Sequence, residues 1–131
     1  MNVLGPGGNF GLQEAKRHVF LGDETALGVF ACMARAARGE VVGAVEVDAG
    51  NEAWPAAAGL ELPAVARNGA RGDSLLHWLR ANKPSVTSDT CFYLVGHTGS
   101  IVRLRAELLE AGWSKRSIRT KPYWADGKRG L

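Results

Sequence analysis

Patterns typical of strands and of helices alternate along this chain, and two of the strand patterns are strongly apolar. The stretch EVVGAVEVD, residues 40–48, is apolar on both faces, and TCFYLVG, residues 90–96, is the strongest strand pattern in the sequence. Burial on both faces is typical of a central strand in a parallel sheet. The alternation therefore predicts an α/β domain of three αβα layers with a mostly parallel sheet of about five strands. Such sheets bind ligands at the carboxyl ends of their strands.

The individual elements follow from the spacing of apolar residues and from the positions of glycine and proline. Strands are predicted at residues 17–21, 40–48, 61–69 and 90–96, and another opens the segment 115–131 before it becomes a polar, aromatic coil. Helices are predicted at residues 23–37, 73–83 and 100–111, with a short helix or turn at 51–59. Residues 1–131 are expected to form one domain, in which residues 1–12 are a linker.

Positive charge is concentrated near the C-terminus. Residues 1–102 hold eight Lys/Arg and ten Asp/Glu, whereas residues 103–131 hold eight and three. A basic segment suits an anionic partner, such as a nucleotide phosphate, an acidic protein or a nucleic acid, and equally suits a solvated surface. Since no apolar run could cross a bilayer and no secretory pattern opens the chain, a cytoplasmic protein without a membrane partner is expected. Cys32 and Cys91 have no metal-binding or redox spacing, so we expect two buried thiols and no metal site.

The turn GDETA joins the first predicted strand to the first predicted helix. Nucleotide-binding proteins often place glycines at this point so that phosphates reach backbone N–H groups, but this chain has two carboxylates. In one interpretation, Asp23 or Glu24 simply caps the helix. In the other, Gly22 ends the strand, small Ala26 leaves room for a ligand, and free N–H groups of Thr25 and Ala26 meet a diphosphate. The carboxylates would then point aside, toward a ribose hydroxyl.

Further polar side chains follow the third and fourth predicted strands. Arg67 and Arg71, on either side of Asn68, either bind a phosphate through bidentate hydrogen bonds or lie in a solvated loop. His97 follows the strongest strand and therefore belongs to the ligand-binding edge, but no Cys, Asp or Ser is placed to form a catalytic triad with it. No residue is assigned a catalytic role. Three tryptophans are expected to pack in or near the core: Trp54, Trp78 and Trp113.

The final stretch, KPYWADGKRGL, carries two aromatic residues among charges. Tyr123 and Trp124 are predicted to lie beyond the last regular element. There they either pack the tail against the body of the domain or stack their flat rings on a flat cofactor. Lys128 and Arg129 are expected to be solvated.

Together these segments resemble the C-terminal half of the siderophore-interacting proteins, the flavin-dependent ferric-siderophore reductases. The resemblance runs in order through VLGPGGNF, FLGDETALGVFACMARA, EVDAGNE and VARNGARGDSLLHWLR to the end of the chain. Its most specific parts are GDETAL and PYWADGKRGL. The family is similar to the ferredoxin–NADP reductase superfamily, in which an N-terminal β-barrel holds FAD and a C-terminal α/β domain holds NAD(P)H.

The resemblance implies a reaction and a set of partners. Hydride would pass from NAD(P)H to FAD on a barrel domain, supplied in cis or in trans, and single electrons would then reduce Fe(III) in a ferric siderophore and release the iron. Arg67 and Arg71 favour NADPH over NADH. The chain has no Arg-x-Tyr-Ser/Thr flavin motif, so FAD is expected only with the missing barrel, and this chain is expected to be inactive alone. No nucleic-acid partner is expected.

The resemblance also implies which residues face the cofactors. The first turn faces the nicotinamide and diphosphate, Arg67 faces the adenosine or its 2′-phosphate, and the tail aromatics lie near the flavin. Gly28 and His97 depart from the family pattern, where proline and glutamate are usual. The candidate cofactor-binding residues are Gly22, Asp23, Glu24, Thr25, Ala26, Arg67, Gly96, His97, Thr98, Tyr123 and Trp124.

Three functions remain open at this point. The chain is the NAD(P)H-binding domain of a ferric-siderophore reductase, or a stand-alone nucleotide-binding or interaction module that works with a separate flavoprotein. In the third possible function, the chain has no affinity for nucleotides and its basic tail binds a protein. An exposed surface where the barrel would dock also favours a homo-oligomer.

Overall fold

The computed structural model describes residues 11–126, which form a five-stranded sheet with helices on both faces. The strands are β1 (Arg17–Asp23), β2 (Glu40–Val47), β3 (Ala64–Ala66), β4 (Thr90–His97) and β5 (Ile118–Trp124). The helices are α1 (Leu27–Ala36), α2 (Trp54–Ala57), α3 (Asp73–Asn82) and α4 (Thr98–Glu110), with 3-10 turns at Glu24–Ala26 and Lys115–Ser117. Within these residues the strand order is β3-β2-β1-β4-β5 and all neighbours are parallel.

Apolar side chains fill both faces of the sheet. Since successive residues of a strand point to opposite faces, Val19 and Leu21 of β1 pack with α3 and α4, whereas Phe20 packs with α1. The strand β4, which lies between β1 and β5, is buried along its whole length. The predicted three-layer α/β fold with a parallel sheet of five strands is confirmed.

The third strand is shorter than predicted. Only Ala64–Ala66 pairs with β2, although the sequence predicts a strand over residues 61–69. Leu62 is instead buried in the core that faces α1, and Gly69 has a positive φ that ends the extended backbone. Pro63 has no N–H to give to a sheet, so the strand begins only after it.

The last strand is longer than predicted. β5 continues through Trp124, so the prediction that Tyr123 and Trp124 lie beyond the last regular element is wrong. Pro122 pairs opposite Gly96 of β4, and an irregularity between Gly96 and His97 shifts the register. Because β5 is an edge strand, a proline is tolerated there. Lys128 and Arg129 lie outside the described residues.

The other aromatic and sulfur-containing side chains divide between the core and the surface. Trp113 is buried, but Trp54 is 47% exposed, so its predicted core position is wrong. Cys91 is buried, and that burial raises the pKa of its thiol, whereas Cys32 is only partly buried. None of the helices between residues 11 and 126 has the length and apolar composition needed to span a membrane.

Candidate functional site

The strand order places a switch point at the carboxyl ends of β1 and β4. From β1 the chain proceeds outward to β2 and β3, whereas β4 and β5 lie on the other side of β1. Open α/β sheets bind ligands in the crevice that such a reversal leaves between two neighbouring strands. The residues that end these two strands, Asp23 and His97, therefore define the candidate site.

The Asp23 carboxylate accepts hydrogen bonds from the turn after β1 and from the ends of β4 and β5. One oxygen, Oδ1, accepts from the Thr25 backbone N–H at 2.9 Å and from the Thr25 hydroxyl. The other, Oδ2, accepts from the His97 backbone N–H at 3.1 Å and from the Trp124 indole Nε1–H at 2.9 Å. The side chain is nearly buried, and its charge is compensated by these four donors.

This arrangement bears on both interpretations of the GDETA turn. Asp23 caps the 3-10 turn that leads into α1, so the capping interpretation is confirmed. The expectation of a free Thr25 N–H is wrong, because that group already donates to Asp23. Ala26 lies fully buried beneath the turn. Glu24 points aside and accepts from the Asn51 side chain at 3.2 Å, which ties the turn to the loop after β2.

Two glycines make this close packing possible. A Cβ on Gly22 would lie 2.6 Å from the Val95 carbonyl oxygen. A Cβ on Gly96 would lie 2.5 Å from Asp23 Oδ1, and Gly96 has a φ of +119°. Both positions therefore require glycine for the approach of β1, β4 and the Asp23 carboxylate, and no phosphate is needed to explain them.

The His97 side chain caps α4. Its Nδ1 accepts from the Ser100 backbone N–H at 3.1 Å and lies 2.7 Å from the Ser100 hydroxyl. Because Nδ1 is an acceptor, Nε2 carries the hydrogen that faces Asp126 Oδ2 at 3.0 Å. The neighbouring Thr98 hydroxyl donates to the Trp124 carbonyl at 2.9 Å, which fixes the end of β5 to the start of α4.

Ser100, His97 and Asp126 thus lie in a row that the sequence did not reveal. His97 and Ser100 are spaced as an N-cap residue and the third residue of a helix. That spacing is the one feature of the sequence that indicates a contact between them. The Ser100 hydroxyl is buried beneath Gly72, where an added Cβ would lie 2.8 Å from it. A nucleophile must be reached by its substrate, so the row acts as a helix cap and not as a catalytic triad.

Trp124 and Tyr123 face different surroundings because they are neighbours on one strand. The Trp124 ring lies 4.7 Å from the His97 ring, centre to centre, and the Arg71 guanidinium carbon lies 4.6 Å from its centre. Tyr123 packs against the core that faces α1, and its burial raises the pKa of its hydroxyl. Arg71 therefore covers part of the Trp124 ring, which lies at the switch point.

The two arginines of the loop after β3 have different partners. Arg67 forms an ion pair with Asp48, at 2.5 Å between Nη1 and Oδ1. Arg71 is partly exposed and forms no ion pair within residues 11–126. The same part of the chain contains no group of three or more His, Cys, Asp or Glu side chains that could hold a metal ion.

Solved structures of similar fold include two from siderophore systems. A siderophore utilization protein from T. fusca is 27% identical, with a TM-score of 0.72, and the match covers 92% of this chain and 49% of that one. The siderophore-interacting protein SipS from Aeromonas hydrophila is 21% identical, with a TM-score of 0.70, over 88% of this chain and 53% of that one. This chain therefore spans about half the length of these two relatives.

A third structure comes from a different enzyme. The flavohem-like FAD/NAD-binding domain of nitric oxide dioxygenase from Vibrio cholerae is 18% identical, with a TM-score of 0.56, over 88% of this chain and 54% of that one. At this identity the likeness shows the fold alone, which is the fold that the resemblance to ferredoxin–NADP reductases predicts. No curated protein sequence matches the chain.

The sequence itself matches a family model over nearly its whole length. The model is described as siderophore-interacting protein, and it matches residues 15–127. The matched range includes β1, β4 and β5, whose carboxyl ends carry Asp23, His97 and Trp124. The chain belongs to the siderophore-interacting protein family.

Proposed function

We propose that this chain is the NAD(P)H-binding domain of a flavin-dependent ferric-siderophore reductase. Its partner would be a domain that holds FAD, in cis or in trans, and the electron acceptor of the whole enzyme would be Fe(III) in a siderophore, from which iron is released on reduction. The observation that carries this proposal is the family match over residues 15–127. The reductase-type fold and the switch point between β1 and β4 support it.

The candidate site suits a dinucleotide through its arginines more than through its first turn. The Thr25 and His97 backbone N–H groups already donate to Asp23, so they offer no cradle for a phosphate. Arg67 and Arg71 lie in the loop after β3, and guanidinium groups bind phosphates through paired hydrogen bonds. Arg67 would exchange its ion pair with Asp48 for such a contact, whereas Arg71 has no ion pair to give up within the described residues. Phosphate recognition by side chains is therefore the mode that this chain supports.

NAD(P)H, when bound, supplies a hydride to a flavin. The chain's own residues bind and orient it at the edge of the sheet. Asp23 holds the Trp124 indole through Nε1, and Thr98 holds the Trp124 carbonyl, so the wall of the site at the end of β5 is fixed. Gly96 keeps the backbone of β4 close to that wall. These contacts give a rigid surface against which a ligand can be positioned.

Calorimetric titration of the chain with NADPH, and with NADH as the comparator, tests this proposal. We expect NADPH to bind more tightly, because its additional 2′-phosphate can pair with arginine, and we expect this preference to weaken as salt rises. Arg67→Gln should reduce the preference for NADPH, whereas Arg105→Gln on α4 should leave it unchanged.

One observation favours a second candidate. The carboxylate of Asp23 occupies the donors that a phosphate would use at the first turn, as it would in a domain that binds no nucleotide. The chain would then be a stand-alone protein-interaction module. Absence of binding heat with NADPH and NADH at two temperatures would contradict the first proposal and favour this one.

A further inference from the structure

We infer that Arg71 binds a diphosphate group at the switch point between β1 and β4, and that the Trp124 ring is where its guanidinium rests in the absence of an anion. The inference rests on the proposed function and deepens it, because it names the residue and the part of the ligand. It assigns to Arg71 the phosphate-binding role that a glycine-rich turn after the first strand has in other nucleotide-binding proteins.

The first argument is the availability of charge. Arg67 is paired with Asp48, and Arg103 donates to the Asp73 carboxylate at 2.6 Å. Arg71, between them in sequence, has no acidic partner within the described part of the chain, and its guanidinium lies on an indole. A guanidinium gains less from an aromatic face than from paired hydrogen bonds to a phosphate. An incoming anion can therefore draw Arg71 from Trp124.

The second argument is position. Although Arg71 follows the edge strand β3, its guanidinium reaches Trp124 of β5, the strand at the opposite edge of the sheet. Trp124 itself reaches Asp23 at the end of β1. The charge of Arg71 therefore lies over the carboxyl ends of the strands, where ligands bind in sheets of this class.

The third argument is the way the backbone of Arg71 is held. The next residue, Gly72, donates its N–H to both oxygens of the buried Glu46 carboxylate, at 3.0 and 3.2 Å. The carbonyl of Arg71 accepts from Arg103 at 2.9 Å. With both the carbonyl and the N–H of the peptide group between Arg71 and Gly72 held in this way, Arg71 needs only a side-chain rotation to exchange the indole for an anion, so little conformational entropy is lost on binding.

The fourth argument is that Asp23 occupies two backbone donors at the switch point. Its carboxylate accepts from the Thr25 and His97 N–H groups, so these two groups are not available to a diphosphate and a side-chain donor gains in importance. The planar fork of an arginine supplies two parallel donors to one phosphate.

Titration with inorganic pyrophosphate tests the contact directly. The readout is the indole N–H resonance of Trp124, assigned among the four tryptophans by comparison with Trp124→Phe. We expect pyrophosphate to shift this resonance in the natural chain and in Arg80→Gln, a matched loss of charge on α3, but not in Arg71→Gln. An equal shift in Arg71→Gln would overturn the inference.

Calorimetry with the two nucleotides separates this inference from the proposed function. We expect Arg71→Gln to weaken NADH and NADPH alike, by about tenfold or more, and Arg71→Lys to recover part of the loss. If the natural chain binds both nucleotides and Arg71→Gln binds them equally well, the inference is wrong and the proposed function stands. A loss confined to NADPH would overturn the diphosphate assignment in favour of the 2′-phosphate. If the natural chain binds neither nucleotide, the proposed function fails and the inference fails with it.

Discussion

At the scale of single residues, the site is organised by Asp23. The sequence allowed the prediction that a carboxylate in the GDETA turn caps the following helix, because capping depends on neighbours along the chain. The contacts of Asp23 with His97 and Trp124 could not be predicted, since they join residues 74 and 101 positions apart. The same holds for Arg71, whose contact with Trp124 depends on the path of a loop across the sheet.

Replacing Asp23 with asparagine should lower the free energy of unfolding by about 1–3 kcal/mol. One carboxylate oxygen becomes an amide NH₂, which cannot accept, so either the Thr25 donors or the His97 and Trp124 donors lose their partner. Urea denaturation followed by circular dichroism measures the change. Glu61→Gln, at an exposed carboxylate, is the control and should change the unfolding free energy by less than about 0.5 kcal/mol. Equal stability of the two variants would show that Asp23 does not organise the strand ends.

At the scale of elements, the local sequence pattern predicts a strand or helix correctly where the burial of its apolar residues agrees with its turn and capping residues. The strands β1, β2 and β4 and the helices α3 and α4 follow from apolar spacing. The pattern failed at the two edge strands. β3 is cut short by Pro63, and β5 continues past Pro122 because one side of it needs no partner. An edge strand has a neighbouring strand on one side only. The local sequence does not show which strands of a sheet lie at its edges.

The packing of α3 against α4 includes an ion pair with a predictable pH dependence. The Glu107 carboxylate accepts two hydrogen bonds from Arg80, both at 3.0 Å, and lies 3.6 Å from Lys83. The hydrogen bonds from Arg80, followed by the charges of Arg80 and Lys83, lower the pKa of Glu107 below its ordinary value of 4.5. A lowered pKa in the folded state means that the stabilisation is complete above about pH 4.5 and disappears as the pH falls through the folded-state value.

Glu107→Gln should therefore lower the free energy of unfolding by up to about 1 kcal/mol at pH 7, since the pair is at the surface. The difference from the natural chain should vanish as the pH falls through the lowered pKa of Glu107 in the folded state. Urea denaturation at a series of pH values measures it, with Glu110→Gln on the same helix as the control. A difference that stays constant from pH 7 to pH 3 would mean that the carboxylate contributes by packing and not by charge.

At the scale of the whole molecule, the two ends of the sheet carry different polar groups. The carboxyl ends of the strands hold Asp23, His97 and Trp124, whereas a buried pair, His18 near the start of β1 and Tyr93 in the middle of β4, lies away from them. The His18 Nε2–H donates to the Arg38 carbonyl at 2.9 Å, so its Nδ1 accepts from the Tyr93 hydroxyl at 3.0 Å. That hydroxyl also accepts from the backbone N–H of Gln13 at 3.0 Å, and burial raises its pKa.

This chain of hydrogen bonds fixes the segment before β1 to the centre of the sheet, and it lies away from the proposed ligand edge. Tyr93 and His97 are four residues apart on one strand, which corresponds to about 13 Å. Stability and ligand binding should therefore be separable between the two ends. Tyr93→Phe leaves the Gln13 N–H and His18 Nδ1 without their partner and should lower the free energy of unfolding by about 1–3 kcal/mol.

The same variant should leave the dissociation constant for NADPH unchanged, because the Tyr93 hydroxyl bonds to Gln13 and His18, away from the carboxyl ends of the strands. Urea denaturation and calorimetry on one preparation measure both quantities, and Arg71→Gln provides the opposite case, with weakened binding and nearly unchanged stability. If Tyr93→Phe weakened NADPH binding as much as Arg71→Gln does, the two ends would be coupled through β4, and the proposed site could not be treated as a local arrangement of strand ends.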